Sequence, residues 1–528
     1  MTRSQHFSRR KLLKAGAVGA VSTTTLLGSL AWMPQRVALA RPAANLPNVQ
    51  FDLGNFIPPA FNVNDGAGNV LVRFGPVFTM FLTMQLTRFP SLTDFQTWHD
   101  AIERIESVYP FSPSGVFTIV SYGVPYFNRL PASLVKQHMP TLISNSNRPV
   151  LEEAVASPTD FPNAPKKTFQ VNVNIEQNDV LVTLRSDSMN NLNDVSRWLQ
   201  GSNTLNGFTL PSPAFNGLFT FTSSRIMFQQ IGLPRKVANS NNLPFAARVN
   251  PDSPMWMGFL DQQVSGSGPT SIVTFQGNSS AQFANLPSGY FTDGSIQHLS
   301  HVIQDLAQFY GDDEPFSERV QYMFRSDPIP TLGNGGSTAG PTDPSEFNNG
   351  GGPSYLANDA SIFLKYQAQG VTEASQTGID NVVNGQDVNP VNDPQPAAAG
   401  PGDQGIRRPR MGHLSALQQS SRAHDGTPIH IRMDGPGFDS MDVPDGSNQA
   451  KLQFTVFVPT ADFFATMRAN QAALRFQGKV DASGNPIPGT GVHSDDNGLE
   501  RFLTATRRQN FLCPPRGRRA FPLREFLP

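Results

Sequence analysis

Between Val77 and Leu86 the chain carries aromatic and β-branched residues at strand density, and from Ser91 to about Val108 apolar positions recur at helical spacing behind a serine start. Gly115 to Ser121 returns to strand density, which completes a β-α-β unit. A similar set follows, with strands at Phe169 to Val173 and Val180 to Leu184 and a helix from Met189 to Leu199. Much later the pattern resumes. Lys451 to Val458 reads as a strand, Thr460 to Phe476 as a helix, Asn497 to Thr506 as a further helix and Asn510 to Leu512 as a short strand.

The same alternation on both sides of a long gap predicts an α+β fold built by duplication. Its form is two ferredoxin-like halves of the dimeric α+β barrel type, antiparallel sheets with helices packed outside. The gap runs from about Pro328 to Gly405. It holds runs such as Asn334-Gly335-Gly336-Ser337 and Asn348-Asn349-Gly350-Gly351-Gly352, and only Tyr355 to Tyr366 could pack. So little large apolar surface cannot offset the entropy of ordering, which predicts either an inserted surface excursion or an interdomain linker. The organisation is then a targeting segment over 1–40, an amino-terminal half over 41–327, a low-complexity stretch over 328–409 and a carboxyl half over 410–528.

The amino terminus changes the picture of where the protein works. Arg9-Arg10 precedes a weakly apolar stretch from Ala15 to Trp32 and then Ala38-Leu39-Ala40. Paired arginines, a threonine-diluted apolar region and a small-x-small exit site resemble a twin-arginine signal cleaved after Ala40. That implies the twin-arginine translocase as a partner, a periplasmic or extracellular destination and no stable membrane anchor. The alternative, an uncleaved anchor, is disfavoured because the stretch is short for a span. The single cysteine, Cys513, excludes an intrachain disulfide even in an oxidising compartment. Charged residues make up 15% of the chain, against roughly 25% in an average soluble protein. With Lys+Arg 40 against Asp+Glu 41 there is no basic footprint for nucleic acid.

Several stretches, taken in order, resemble the dye-decolourising peroxidases, a family of haem proteins built from two ferredoxin-like halves. Tyr122-Gly123-Val124-Pro125-Tyr126-Phe127-Asn128-Arg129 looks like the family's Gly-x-Pro-x-Phe-Asp-Arg turn, and Asp179 to Leu184 like its second central strand. Met257-Gly258-Phe259-Leu260-Asp261 resembles the haem-site Gly-Phe-x-Asp-Gly signature, and Gly294 to Tyr310 the strand and long helix after it. Gly412-His413-Leu414 is similar to the segment bearing the haem-ligand histidine, Ile429 to Gly435 to the arginine-bearing strand, and Lys451 to Met467 to the next strand and helix. Leu499 to Pro515 resembles the closing helix and Phe-x-x-Pro-Pro strand. Two departures stand out. Gln262 replaces the family's glycine after the acid, and the arginine strand reads His430-Ile431-Arg432-Met433-Asp434-Gly435.

The resemblance implies haem b, with His413 as the iron ligand, Phe259 beside the macrocycle and Asp495, Asp496 or Asn497 as partner of the ligand imidazole. Asp261 would shuttle the proton of hydrogen peroxide and Arg432 would supply a fixed positive charge, while an organic reductant is oxidised. A homo-oligomer is compatible with this reading. Against it stand a haem-free relative acting as an envelope binding or structural module, and a different oxidase using a histidine-bound metal. For the latter, His298 with His301, and His424 with His430, are the candidate ligand pairs. Trp256, Tyr290 and Tyr322 could relay electrons to the surface or simply pack. No phosphate loop and no nucleophile elbow is present in the sequence.

Overall fold

A computed structural model describes residues 46–57, 61–64, 69–72, 75–164, 166–213, 215–230, 232–251, 253–258, 269–277, 283–311, 319, 322, 380, 412–413, 429–471, 482–483 and 498–528. In it the first strand-dense stretch forms β1 (Phe78–Leu86), and Ser91 starts helix α1 (Leu92–Val108). The Ser91 hydroxyl accepts from the Asp94 amide at 3.1 Å while the Asp94 carboxylate accepts from the Ser91 amide at 2.7 Å. This reciprocal cap satisfies two amides that a helix start leaves open. The half continues through β2 (Phe117–Gly123), β3 (Val180–Ser186), α2 (Met189–Leu199) and β4 (Phe219–Phe228).

The second half repeats the order. It comprises β5 (Ser295–Gln304), a broken second strand made of β6 (Ile431–Arg432) and β7 (Gly435–Asp439), then β8 (Gln449–Val458), α3 (Asp462–Gln471) and β9 (Leu503–Cys513). Across the sheet the strands run β4-β1-β3-β2-β9-β5-β8-β6, with β7 also on β8, and these pairings are antiparallel. Within each half this is the fourth, first, third and second strand, the ferredoxin-like order. The halves join where Phe511 and Leu512 of β9 pair with Gly123 and Tyr122 of β2.

The two outer edges also meet. A Cβ on Gly437 of β7 would come within 2.9 Å of the Ile226 carbonyl oxygen of β4, and one on Gly435 within 3.0 Å of Met227. Glycine therefore lets β7 lie back on β4. The inward side chains Phe81, Ile119, Leu181, Met227, Leu299, Phe457 and Phe511 form one core, into which Phe51 stacks on Phe457 with centroids 4.1 Å apart. A larger core lies outside the sheet, where Trp98, Ile102 and Ile105 of α1, Leu192, Val195 and Trp198 of α2, and Phe463, Phe464 and Met467 of α3 pack down.

Several expectations change. Ser295–Gln304, placed by sequence in the amino-terminal half, is the first strand of the second repeat, because its ladders run to β8 and β9. The expected helix from Asn497 to Thr506 is in its described part a 3-10 turn, Glu500–Phe502, followed directly by β9; ten paired positions along β5 outweigh the local helical spacing. The long helix expected after β5 has one described turn, Leu306–Phe309, capped by Asp305. Phe169 to Val173 is irregular, and the strand there is the short Asn174–Ile175. No helix among the described residues is long and apolar enough to cross a membrane. The stretch 328–409 and the targeting segment lie outside the described residues, except Asp380.

Candidate functional site

The outer face of β5, β8 and β9 is the floor of a cleft. Along each strand alternate side chains turn to this face, which brings Ser300, Val302, Leu452, Phe454, Ala505 and Arg508 together. Helix α3 roofs it with Phe464, Met467 and Arg468. The segment bearing His413 and the strand β6 with its flanks, carrying His430, Arg432 and Asp434, close the remaining side. The cleft encloses about 80 Å³ and opens to solvent, which is small beside the roughly 300–1,000 Å³ of small-molecule and cofactor sites.

His413 and Arg432 thus reach one cleft from separate segments, and both are half-buried. The backbone at His413 is held by a close approach. Gly498 has φ +66°, and a Cβ there would meet the His413 amide nitrogen at 3.0 Å and its Cα at 3.1 Å. Only glycine suits both the left-handed backbone and the contact. Gly498→Ala is expected to destabilise the protein by about 1–3 kcal/mol; an unchanged thermal midpoint would show that the segments are free to part. Asn497, expected to face the His413 imidazole, precedes Gly498 in the chain but lies outside the described residues, as do Phe259 and Asp261.

Sequence reasoning missed the ion lattice in the cleft wall. Arg508 donates to Asp160 at 2.7 Å, and both side chains are 3% exposed. Arg468 donates to both Glu500 carboxylate oxygens, at 2.8 and 3.1 Å, and to the Thr159 hydroxyl at 3.0 Å. The Lys166 ammonium donates to the Glu500 backbone carbonyl at 2.8 Å. Burial alone would raise the Glu500 carboxyl, but the charge and hydrogen bonds of Arg468 outweigh it and lower the value to about 2. Glu500 is therefore ionised at neutral pH and unsuited to carry a proton. Burial, with repulsion from Arg468, brings Arg508 down to about 10, which leaves it protonated at neutral pH. The adjacent Arg507 and Arg508 inside a strand-like run were the available signal, since two arginines there must find partners on opposite faces of the sheet.

The histidine pair proposed as metal ligands separates. His298 and His301 are three apart on β5 and so turn to opposite faces. His298 stacks on Phe464 outside the sheet, with centroids 3.3 Å apart. His301 points inward, with Nδ1 2.9 Å from the Thr506 hydroxyl and Nε2 3.4 Å from Asp439. They cannot share an ion, and no metal-type cluster occurs among the described residues. His424 lies outside the described residues, and His430 lines the cleft. The three proposed electron carriers are packed. Trp256 is fully buried and donates to the Gly437 carbonyl at 3.0 Å, Tyr322 bonds Arg501, and Tyr290 donates to Glu525 at 2.7 Å.

A family model described as "Family of unknown function (DUF7405)" matches residues 76–331. No curated protein matches the chain. Among solved structures, the chain is similar to a DyP-type peroxidase from Cellulomonas bogoriensis at 11% identity, covering 85% of this chain and 94% of that one, with a TM-score of 0.44. It is similar to the encapsulated DyP-type peroxidase from Mycobacterium smegmatis at 13% identity, covering 84% and 94%, TM-score 0.41. A Rhodococcus jostii RHA1 DypB variant in complex with heme matches at 12% identity, covering 85% and 96%, TM-score 0.43.

Proposed function

We propose that the cleft binds haem b and that the protein is a peroxidase, exported through the twin-arginine pathway, which reduces hydrogen peroxide and oxidises an organic reductant. The observation that carries this reading is that His413 and Arg432 line one cleft together with an apolar group, Val302, Leu452, Phe454, Phe464, Met467, Leu503 and Ala505, beside the charged Asp160, Arg468, Glu500 and Arg508. An imidazole able to hold iron, a guanidinium and apolar side chains are residue types a haem site uses, so the lining suits the group in kind.

When bound, haem would supply the iron on which peroxide is reduced. His413 would hold the metal through one ring nitrogen. Arg432 stays protonated at any relevant pH and would offer a fixed positive charge to a departing hydroxide. Asp434, two residues on and in the same wall, joins Asp261 as a candidate to move the peroxide proton.

The decisive measurement is the absorption spectrum of protein expressed with ample haem. A Soret band is expected in the wild type, and His413→Ala is expected to lose or strongly shift it. No Soret band in the folded wild type sinks the proposal, and an unaltered band in the variant means that another residue is the ligand. One observation favours a haem-free relative as the second reading. Arg468 and Arg508 in the wall already have carboxylate partners in Glu500 and Asp160.

A further inference from the structure

A chain of hydrogen bonds with a fixed direction ends in the cleft. Its origin is Asn510, whose Nδ2 donates to the Glu152 carbonyl at 3.0 Å. That contact commits the other side of the amide, Oδ1, to accepting. Oδ1 lies 2.6 Å from His298 Nδ1, so Nδ1 carries the ring proton. The imidazole is fully buried, and burial, reinforced by the nearby charges of Arg508 and Arg468, keeps its value well below the ordinary one. It is therefore neutral, with a bare lone pair on Nε2.

Ser300 Oγ lies 2.6 Å from that nitrogen. The serine proton has to point at His298. What remains of the hydroxyl is its acceptor side, and Ser300 is a cleft-lining residue. The ring that enforces this is pinned by its stack on Phe464 of α3.

We infer that Ser300 is a specificity-determining residue of the cleft, accepting a hydrogen bond from an O–H or N–H of the molecule bound there, with its polarity set by Asn510 through His298. A group that offers only acceptors meets two opposed lone pairs at this wall and is rejected. The arrangement does not work as a nucleophilic triad, although serine, imidazole and amide are in register. A transferred proton would make a buried imidazolium beside Arg468 and Arg508, whose carboxylates Glu500 and Asp160 are already committed to them. The inference concerns the wall of the cleft and holds whether or not a porphyrin enters it.

Two measurements on the mature protein test it. Phenol carries a donor hydrogen where anisole carries a methyl group, and calorimetric titration should show phenol binding about 3- to 10-fold tighter. Ser300→Ala should abolish the difference and Ser300→Thr should keep it. In the second, 15N chemical shifts of the His298 ring should place the proton on Nδ1 and show Nε2 as an acceptor. A preference that persists in Ser300→Ala, equal binding or no binding of the two probes to the wild type, or a proton on Nε2 would each overturn the inference. The Soret measurement judges the haem reading separately.

Discussion

Replacing Arg468 by Met is expected to cost about 3–5 kcal/mol of folding stability at neutral pH, because it strands a buried carboxylate. Arg468 supplies two hydrogen bonds to Glu500, whose side chain is 7% exposed. The size of the loss should depend on pH in a direction that can be worked out. In the wild type Glu500 is lowered from 4.5 to about 2, so its stabilising contribution is fully present above about 4.5 and disappears as pH falls toward 2. In the variant burial dominates and the carboxyl rises above its ordinary value. The folded variant then gains a proton more readily than the unfolded chain, and acid relieves it. Urea unfolding near pH 7 and near pH 5 should show the gap between variant and wild type narrowing as pH falls. A gap that widens, or stays constant, would mean that Glu500 is not held by Arg468.

The second large effect belongs to the closed side of the sheet. Phe457 is fully buried among Phe51, Leu299 and Phe511, and its truncation to Ala should cost about 3–5 kcal/mol through lost contact and the cavity left behind. Part of that loss concerns the segment before β1, since Phe51 reaches the interior by stacking on Phe457 at an interplanar angle of 12°. A double-mutant cycle with Phe51→Ala should give a coupling of about 0.5–1.5 kcal/mol. Strict additivity of the two denaturation midpoints would remove the stack as an anchor of that segment.

Legibility differed between the two halves for a physical reason. Ser91 with Asp94, and Met189 to Leu199 with its amphipathic spacing, are local signals, and the helices appear where the pattern puts them. Leu503–Cys513 contains Thr504, Thr506 and two arginines and does not alternate cleanly, because both of its faces are covered. Its pairing with β5 and β2 decides its state, and pairing joins residues far apart in the chain. The same holds for β5. Its ten residues are all buried, so no polar alternation marks which half owns it.

By itself the sequence determined the α+β class and the helices α1 and α2, because these rest on local spacing, while the candidacy of His413 and Arg432 came from the family resemblance of short motifs. The tertiary structure alone decided that the two residues line one cleft and that His298 and His301 part to opposite faces. It also revealed that Asp160, Glu500, Arg468 and Arg508 balance one another in the wall, and that Ser300 is turned by a neighbour. A buried charge must find its counter-charge wherever folding puts it, and a hydroxyl points where its partner's lone pair lies; neither is written in nearest-neighbour sequence.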